Sequence, residues 1–315
     1  MGVAMKVEVV EIVEAAAGIR ALRLARADGA PFEAHRAGAH VDVTGPTGVL
    51  RQYSLCGPPD DRKSLLIAVK REPESRGGSA ALHAVAVGDH LEVGPPRNLL
   101  ALAEDADRHV LVAGGIGVTP LLSMAHELRR TGAAFELHYF ARSRAEAAFV
   151  DLLESEFGAH VHLGVPRAEK PALFAGIAAE LTPAAHVYTC GPEGFMDQVT
   201  EAFAPAVGAD HVHVEHFTAT EVDTSADAPF TVELDTGEVF EVPADRSILS
   251  VLEEGGIDVA KSCEEGICGS CVSGVLDGVP DHRDNCLSGS DKAAGDQMAL
   301  CVSRALTDKL VIELY

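Results

Sequence analysis

Four cysteines near the carboxyl end of this 315-residue sequence stand at spacings that suit metal chemistry. Cys263, Cys268 and Cys271 lie in KSCEEGICGSCVSG, and Cys301 follows in ALCVSRA. The pattern is C-x4-C-x2-C, then 29 residues, then C. Three thiolates from one tight loop reach a small inorganic centre only if the backbone wraps around it. Glycines 266, 269 and 274 permit that close approach, with positive φ where needed. The fourth thiolate arrives from a distant strand and locks the loop onto its domain. This is the spacing of a plant-type [2Fe–2S] cluster. Structural zinc usually takes paired C-x2-C knuckles, and only one such pair is present. Cys286 is the competing ligand, but it follows a turn and a polar stretch. Cys56 and Cys190 belong to other parts of the chain. Seven cysteines in a chain this long do not read as a disulfide framework.

A cluster handles one electron at a time, so the rest of the chain should hold the supply. Arg51-Gln52-Tyr53-Ser54 forms R-x-Y-S on an expected strand, followed by SRGGSAALH at 75–83 and GDHLEVGPPRN at 88–98. Gly114-Gly115-Ile116-Gly117-Val118-Thr119-Pro120 sits between an expected strand and an expected helix. It departs from G-x-G-x-x-G, because proline replaces the last glycine. The mechanics are similar: glycines let the backbone approach a pyrophosphate, and the helix N-terminus faces its charge. Pro120 suits the first turn, where its missing N–H is no loss. A second strand-to-turn segment is Tyr188-Thr189-Cys190-Gly191-Pro192. His211, His213 and His216 are read as ordinary packing, and no hydrolytic triad is evident.

These motifs need a scaffold. Residues 1–102 read as short strands broken by Gly, Pro and Asp turns, which suggests a barrel or sandwich. Residues 103–217 alternate apolar strands with amphipathic helices, which implies a parallel sheet covered on both faces. Among its helices is one over EAAFVDLLESEF. Residues 218–229 are polar and aperiodic, as a linker would be. Residues 230–315 begin with a hairpin turning at Asp-Thr-Gly, continue through a short helix capped by Ser247, and end on a strand.

Formal charge is −23, unevenly spread. Residues 1–102 hold 12 Lys+Arg against 12 Asp+Glu; residues 103–229 hold 7 against 19; residues 230–315 hold 6 against 17. Phosphate binding needs basic patches, so nucleic acid is excluded as a partner. The acidic last quarter suits docking on a basic protein surface, although solubility alone also explains acidity. No apolar run approaches the roughly 18–20 residues of a membrane span. The N-terminus lacks the layout of a signal peptide. A soluble, cytoplasmic, monomeric protein is expected.

In the identity and order of these motifs the sequence resembles the ferredoxin–NADP⁺ reductase superfamily, and most closely the phthalate dioxygenase reductase and vanillate demethylase reductase family. The resemblance covers nearly the whole chain. It implies an antiparallel β-barrel flavin domain, an α/β parallel-sheet nucleotide domain and an α+β ferredoxin domain of β-grasp type. It implies that Tyr53 packs on the isoalloxazine, Ser54 hydrogen-bonds near N5, and Arg51 pairs with the flavin phosphate. Gly77, Gly78 and Ser79 would serve the same phosphate. Gly114, Gly115, Gly117, Thr119 and Pro120 would bind NAD(P)H, Arg142 and Ser143 would lie at its adenine ribose, and Cys190, with Gly191 and Pro192, would lie at the nicotinamide. Phe217 would sit near the flavin face, with core packing as the plainer reading. Ser54 and Cys190 are the catalytic candidates. The expected flavin is FMN, with FAD the alternative. The expected donor is NADH, although Ser143 and Arg144 taken bare lean to NADPH. The implied activity is a relay from nicotinamide to flavin to cluster to the oxygenase component of a Rieske-type oxygenase or O-demethylase. A cytochrome P450 is the alternative acceptor. A non-catalytic redox sensor is the reading from another class.

Overall fold

The computed structural model describes residues 4–73, 77–219 and 222–314. Ser75 and Arg76 of the glycine motif, residues 220–221 of the expected linker, and the chain ends at 1–3 and 315 lie outside the described residues. The chain divides into two compact units, one ending at Glu215 and one beginning at His216.

The first unit opens with β1 (Met5–Ala16), β2 (Ile19–Arg26), β3 (Ala39–Thr44), β4 (Leu50–Ser54), β5 (Leu65–Lys70), α1 (Gly78–Leu82), β6 (His90–Val93) and β7 (Arg97–Asn98). The strands form an antiparallel sheet in the order β4-β3-β6-β1-β2-β5, with β7 on β3. Beyond β4, Leu55 bridges Ile67 of β5, and the Cys56 N–H donates to Leu66 O at 2.9 Å. The sheet thereby closes on itself. Strand alternation sends Val7, Val9, Leu22, Leu24, Val41, Val43 and Ile67 inward, all buried. Each such side chain contributes roughly 1.5–3 kcal/mol by leaving water.

The chain continues through β8 (Arg108–Gly114), α2 (Val118–Thr131), β9 (Phe135–Ala141), α3 (Val150–Phe157), β10 (His160–Leu163), α4 (Lys170–Ala178), β11 (Ala185–Cys190), α5 (Glu193–Val207) and β12 (Val212–Glu215). The sheet is parallel, in the order β10-β9-β8-β11-β12. Leu111 and Ala113 pack with α2 on one face; Val110 and Val112 pack with Phe174, Phe195 and Phe203 on the other. Burial on both faces is why β8 and β11 read as continuous apolar runs. Helix α3 starts later than EAAFVDLLESEF suggests. Arg144–Glu146 forms a single 3₁₀ turn, and Phe149 takes φ 58°, which breaks the helical path before Val150.

Histidines occupy both faces of this sheet. His138 stacks on His160 at 4.9 Å, and His186 stacks on His211 at 4.0 Å. His213 lies on Tyr188 at 4.7 Å and shares a 2.8 Å hydrogen bond with His186. Burial, reinforced by neighbouring imidazoles, holds His138 and His213 down to about 4, so both are neutral core rings at pH 7.

The second unit contains β13 (Phe230–Leu234), β14 (Val239–Val242), α6 (Ile248–Glu254), β15 (Val272–Asp277), β16 (Pro280–Asp281), α7 (Gly289–Ala294), β17 (Gln297–Ala299), β18 (Arg304–Ala305) and β19 (Lys309–Glu313). Its main sheet runs β14-β13-β19-β15-β17, with β13 and β19 parallel. Helix α6 buries Ile248, Leu249 and Leu252 in the core that holds Val232, Leu310 and Ile312. Ser247 caps it by accepting from Ser250 N at 3.1 Å. The polar segment before β13 has no helix or strand among its described residues, yet it is tied down. Asp227, its side chain only 6% exposed, takes a bidentate bond from Arg283 at 2.6 and 2.9 Å and lies 3.5 Å from Arg304 Nε. Leaving either arginine in such a buried pair without its partner typically costs about 3–5 kcal/mol.

Candidate functional site

In the second unit, residues 258–271 wrap without regular structure between α6 and β15. Gly266 and Gly269 take φ 72° and 70°. A Cβ on Gly266 would stand 2.7 Å from Val302 Cγ2 and 3.1 Å from Asp284 Cα, so only glycine fits. Asp284 and its neighbours back the loop: Asn285 N donates to Gly266 O at 2.8 Å, and Leu287 N donates to the Asp284 carboxylate at 2.9 Å. Cys263 Sγ accepts from Glu265 N at 3.3 Å and Cys268 N at 3.4 Å. Cys301 comes from the turn between β17 and β18, adjacent to β15.

The four thiols group two and two. The Cys263 hydrogen bond lowers the Cys268 thiol, and the Cys301 hydrogen bond lowers Cys271. The outer partners, Cys263 and Cys301, are raised by the same bonds. Among the described residues no three His, Cys, Asp or Glu side chains converge on a point where a single ion could sit. A two-iron cluster takes four thiolates, two for each iron, and the pairing fits it. Cys286 lies close enough to Cys271 and Cys268 to feel their charge, but its thiol donates to Asp284 Oδ2 at 3.4 Å and burial pushes it up.

In the first unit, β4 carries Arg51 and Tyr53 on one face and Ser54 on the other. Gly78, at the start of α1, packs on Arg51: its Cβ would lie 3.1 Å from Arg51 Cγ. Gly77 precedes it at φ 101°. Ser79 is buried, its hydroxyl accepting from Glu72 N at 3.2 Å. Tyr53 is half-buried against the barrel core, and burial pushes its phenol up to about 12. The arginine and the glycine turn are therefore neighbours, as one phosphate would require.

The carboxyl ends of β8 and β11 mark the switch point of the parallel sheet, where open α/β sheets bind ligands. Gly115 takes φ 56° in the 3₁₀ turn Gly115–Gly117. A Cβ on Gly117 would stand 2.2 Å from Cys190 O and 2.6 Å from Gly191 N, and one on Gly191 would stand 3.0 Å from Gly114 Cα. The two turns thus meet backbone to backbone. Thr119 Oγ1 donates to Ile116 O at 3.0 Å, Pro120 sits in the first turn of α2, and Pro192 precedes α5. Arg142 and Ser143 are exposed at the end of β9. Phe217, 40% exposed, follows β12.

Two residues that the motifs do not flag join these pieces. Glu215 neighbours Cys190 in register, and His40 neighbours Ser54. His40 Nδ1 lies 4.0 Å from Glu215 Oε1. Burial pushes Glu215 up to about 8, opposed by the nearby Ser54 hydroxyl, which acts on the carboxyl without meeting hydrogen-bond geometry. Burial, and then Glu215, raise the Cys190 thiol well above its usual range, so it is no nucleophile. Ser54 Oγ, His40 Nε2 and Glu215 Oε2 are buried with no protein partner. Orphaned polar atoms are costly, and the polar edge of a flavin or nicotinamide ring fits among them. The sequence signal was polar residues alternating with valines in two strand segments, AHVDV with His40 and HVHVE with Glu215.

Residues 232–306 match the family described as the 2Fe-2S iron-sulfur cluster binding domain, and residues 90–214 match the N-terminal domain of dimethylamine monooxygenase subunit DmmA-like proteins. The chain is 46% identical over 304 residues to vanillate O-demethylase oxidoreductase of Pseudomonas putida, covering 94% of this chain and 95% of the relative. It is 41% identical over 292 residues to phthalate dioxygenase reductase of Burkholderia cepacia, covering 91% and 90%. A solved phthalate dioxygenase reductase superposes with a TM-score of 0.70 at 39% identity, covering 99% and 98%. An intact type IV self-sufficient cytochrome P450 monooxygenase gives a TM-score of 0.87 at 42% identity, covering 98% of this chain and 41% of that one. Among the described residues, no helix is long and apolar enough to cross a membrane.

Proposed function

The chain belongs to the phthalate dioxygenase reductase and vanillate O-demethylase reductase family, and from that membership we propose that it carries electrons from NADH, through FMN and a [2Fe–2S] cluster, to a separate Rieske-type oxygenase or O-demethylase component. The observation that carries this reading is the convergence of Ser54 and Cys190, from different sheets, on the buried Glu215. When bound, the flavin and the cluster turn a hydride's electron pair into single electrons. The residues' task is to bind, orient and exclude water.

Arg51 would hold the flavin phosphate as a planar fork, with the N–H groups of Gly77, Gly78 and Ser79 beside it. Tyr53 would shield the ring face. Ser54 would orient the edge that receives hydride. Gly114, Gly115, Gly117, Thr119 and Pro120 would seat the dinucleotide pyrophosphate. Arg142 and Ser143 would meet the adenosine. Cys190, a protonated thiol, would pack on the nicotinamide, with Gly191 and Pro192 shaping the turn. Cys263 and Cys268 would serve one iron, Cys271 and Cys301 the other. Residues 1–102 would form the flavin domain, 103–217 the nucleotide domain, 218–229 the connection and 230–315 the ferredoxin domain. FMN is favoured over FAD because α1 gives way to β6 by His90, leaving little chain to cradle an adenine. The acidic ferredoxin domain favours a basic docking surface on the acceptor. A P450 acceptor is the second reading, favoured by the structural likeness to the self-sufficient P450.

Acid extraction of the purified protein should release FMN. Its kcat/KM should favour NADH over NADPH by more than about tenfold, or about 1.4 kcal/mol. A preference of that size for NADPH would refute the donor assignment.

A further inference from the structure

In a doubly wound sheet the adenine ribose lies at the carboxyl end of the second strand, where an acid reads the 2′-hydroxyl of NAD or an arginine accepts the 2′-phosphate of NADP. Here that strand is β9, and Arg142-Ser143-Arg144 follows it. Two arginines and a serine would suit a 2′-phosphate. The structure commits one of them elsewhere. Arg144 Nη2 donates to Asp151 Oδ1 at 2.5 Å and Glu154 Oε2 at 2.6 Å, and Nη1 donates to Glu154 Oε1 at 3.1 Å. Both carboxylates stand on α3, one helical turn apart, so the guanidinium is gripped from one face. Because Phe149 takes φ 58° and delays the helix, Asp151 falls in its first turn.

We infer that Asp151 and Glu154 determine nucleotide specificity by holding Arg144 away from the 2′-phosphate position, and that they are the elements that turn an NADPH-like loop into an NADH site. The inference rests on the NADH assignment above. Arg142, Arg144, Asp151 and Glu154 together carry no formal charge, two positive against two negative. A dianionic 2′-phosphate finds no net attraction there, and the nearest carboxylates repel it. Neutralising both acids frees the guanidinium and leaves a net charge of plus two. All four side chains lie on the exposed rim, where single ion pairs are weak. The fold should therefore tolerate the change, and the expected effect is moderate.

The test is the double variant Asp151→Asn/Glu154→Gln, measured with both nucleotides and with 2′,5′-ADP, which binds without turnover. The variant should lower KM for NADPH by about tenfold (about 1.4 kcal/mol) at unchanged kcat. It should tighten 2′,5′-ADP by a similar factor and leave NADH kinetics unchanged. Arg144→Ala should be silent in the parent and should erase the gain in the double variant. A parent that prefers NADPH tenfold would overturn the NADH assignment itself. An NADH-preferring parent whose double variant gains nothing toward NADPH or 2′,5′-ADP would overturn the role of the two acids, as would a gain that survives Arg144→Ala.

Discussion

Cys301→Ser should leave a protein that still bleaches its flavin with NADH but passes almost nothing to cytochrome c or to its oxygenase. The expected loss in acceptor reduction is about a hundredfold or more, about 2.7 kcal/mol in barrier terms. Cys301 is the thiol that closes the loop from a distant turn, and it is the hydrogen-bonded partner of Cys271. Serine is shorter, and its oxygen is a harder donor than the thiolate that an iron–sulfur cluster prefers. One iron would keep a single good ligand. The residues proposed for the nicotinamide and flavin, Phe217 apart, belong by contrast to the compact unit that ends at Glu215. Stopped-flow absorbance after mixing with NADH separates the two steps. Loss of flavin bleaching together with the cluster would contradict the separation.

Gly117→Ala should have the largest effect in the nucleotide site. Its Cβ would stand 2.2 Å from the Cys190 carbonyl oxygen and 2.3 Å from the carbonyl carbon, inside any possible contact. Both neighbours are backbone, so no side-chain rotation relieves the clash. The Gly114–Pro120 turn, proposed to seat the pyrophosphate, must part from the turn that carries Cys190. A misplacement of about 1 Å at a reacting centre can cost about a hundredfold, and a loss of that size in the rate of flavin reduction by NADH is expected. Dithionite should still reduce the flavin, and the cluster spectrum should be unchanged. Gly115→Ala provides the contrast. Gly115 has φ 56° but nothing within 4 Å of a Cβ. It should show only backbone strain, of order 1–3 kcal/mol. Equal effects at the two glycines would refute the packing argument.

The cysteine loop was legible as a motif because its pattern is local: three cysteines and two positive-φ glycines share one loop, and spacing alone constrains them. The Gly114–Pro120 turn was legible for the same reason, as an apolar strand that breaks into glycine. What joins the motifs was not legible. Glu215 meets Ser54 and His40 only because β12 and β4, from different sheets, end beside one another. No periodicity encodes that register. The grip on Arg144 was hidden because it depends on where α3 begins, and a phenylalanine in the left-handed region is not foreseeable from helix propensity. The segment at 218–229 read as a linker because its composition is polar and aperiodic, and composition alone does not show which of its residues are buried. Asp227 is buried against Arg283, from the loop after β16, and Arg304, the first residue of β18, both much later in the chain.

The central claim is that NADH electrons reach a [2Fe–2S] cluster through the flavin of the same chain. Its most direct test is anaerobic titration of the purified holoprotein with NADH, followed by visible absorbance and low-temperature electron paramagnetic resonance on one sample. The account predicts iron and acid-labile sulfide in equal amounts, bleaching of the flavin band, and the resonance of a reduced [2Fe–2S] centre appearing as NADH is added. Flavin bleaching with no cluster resonance, in protein shown to contain the iron and sulfide, would contradict it.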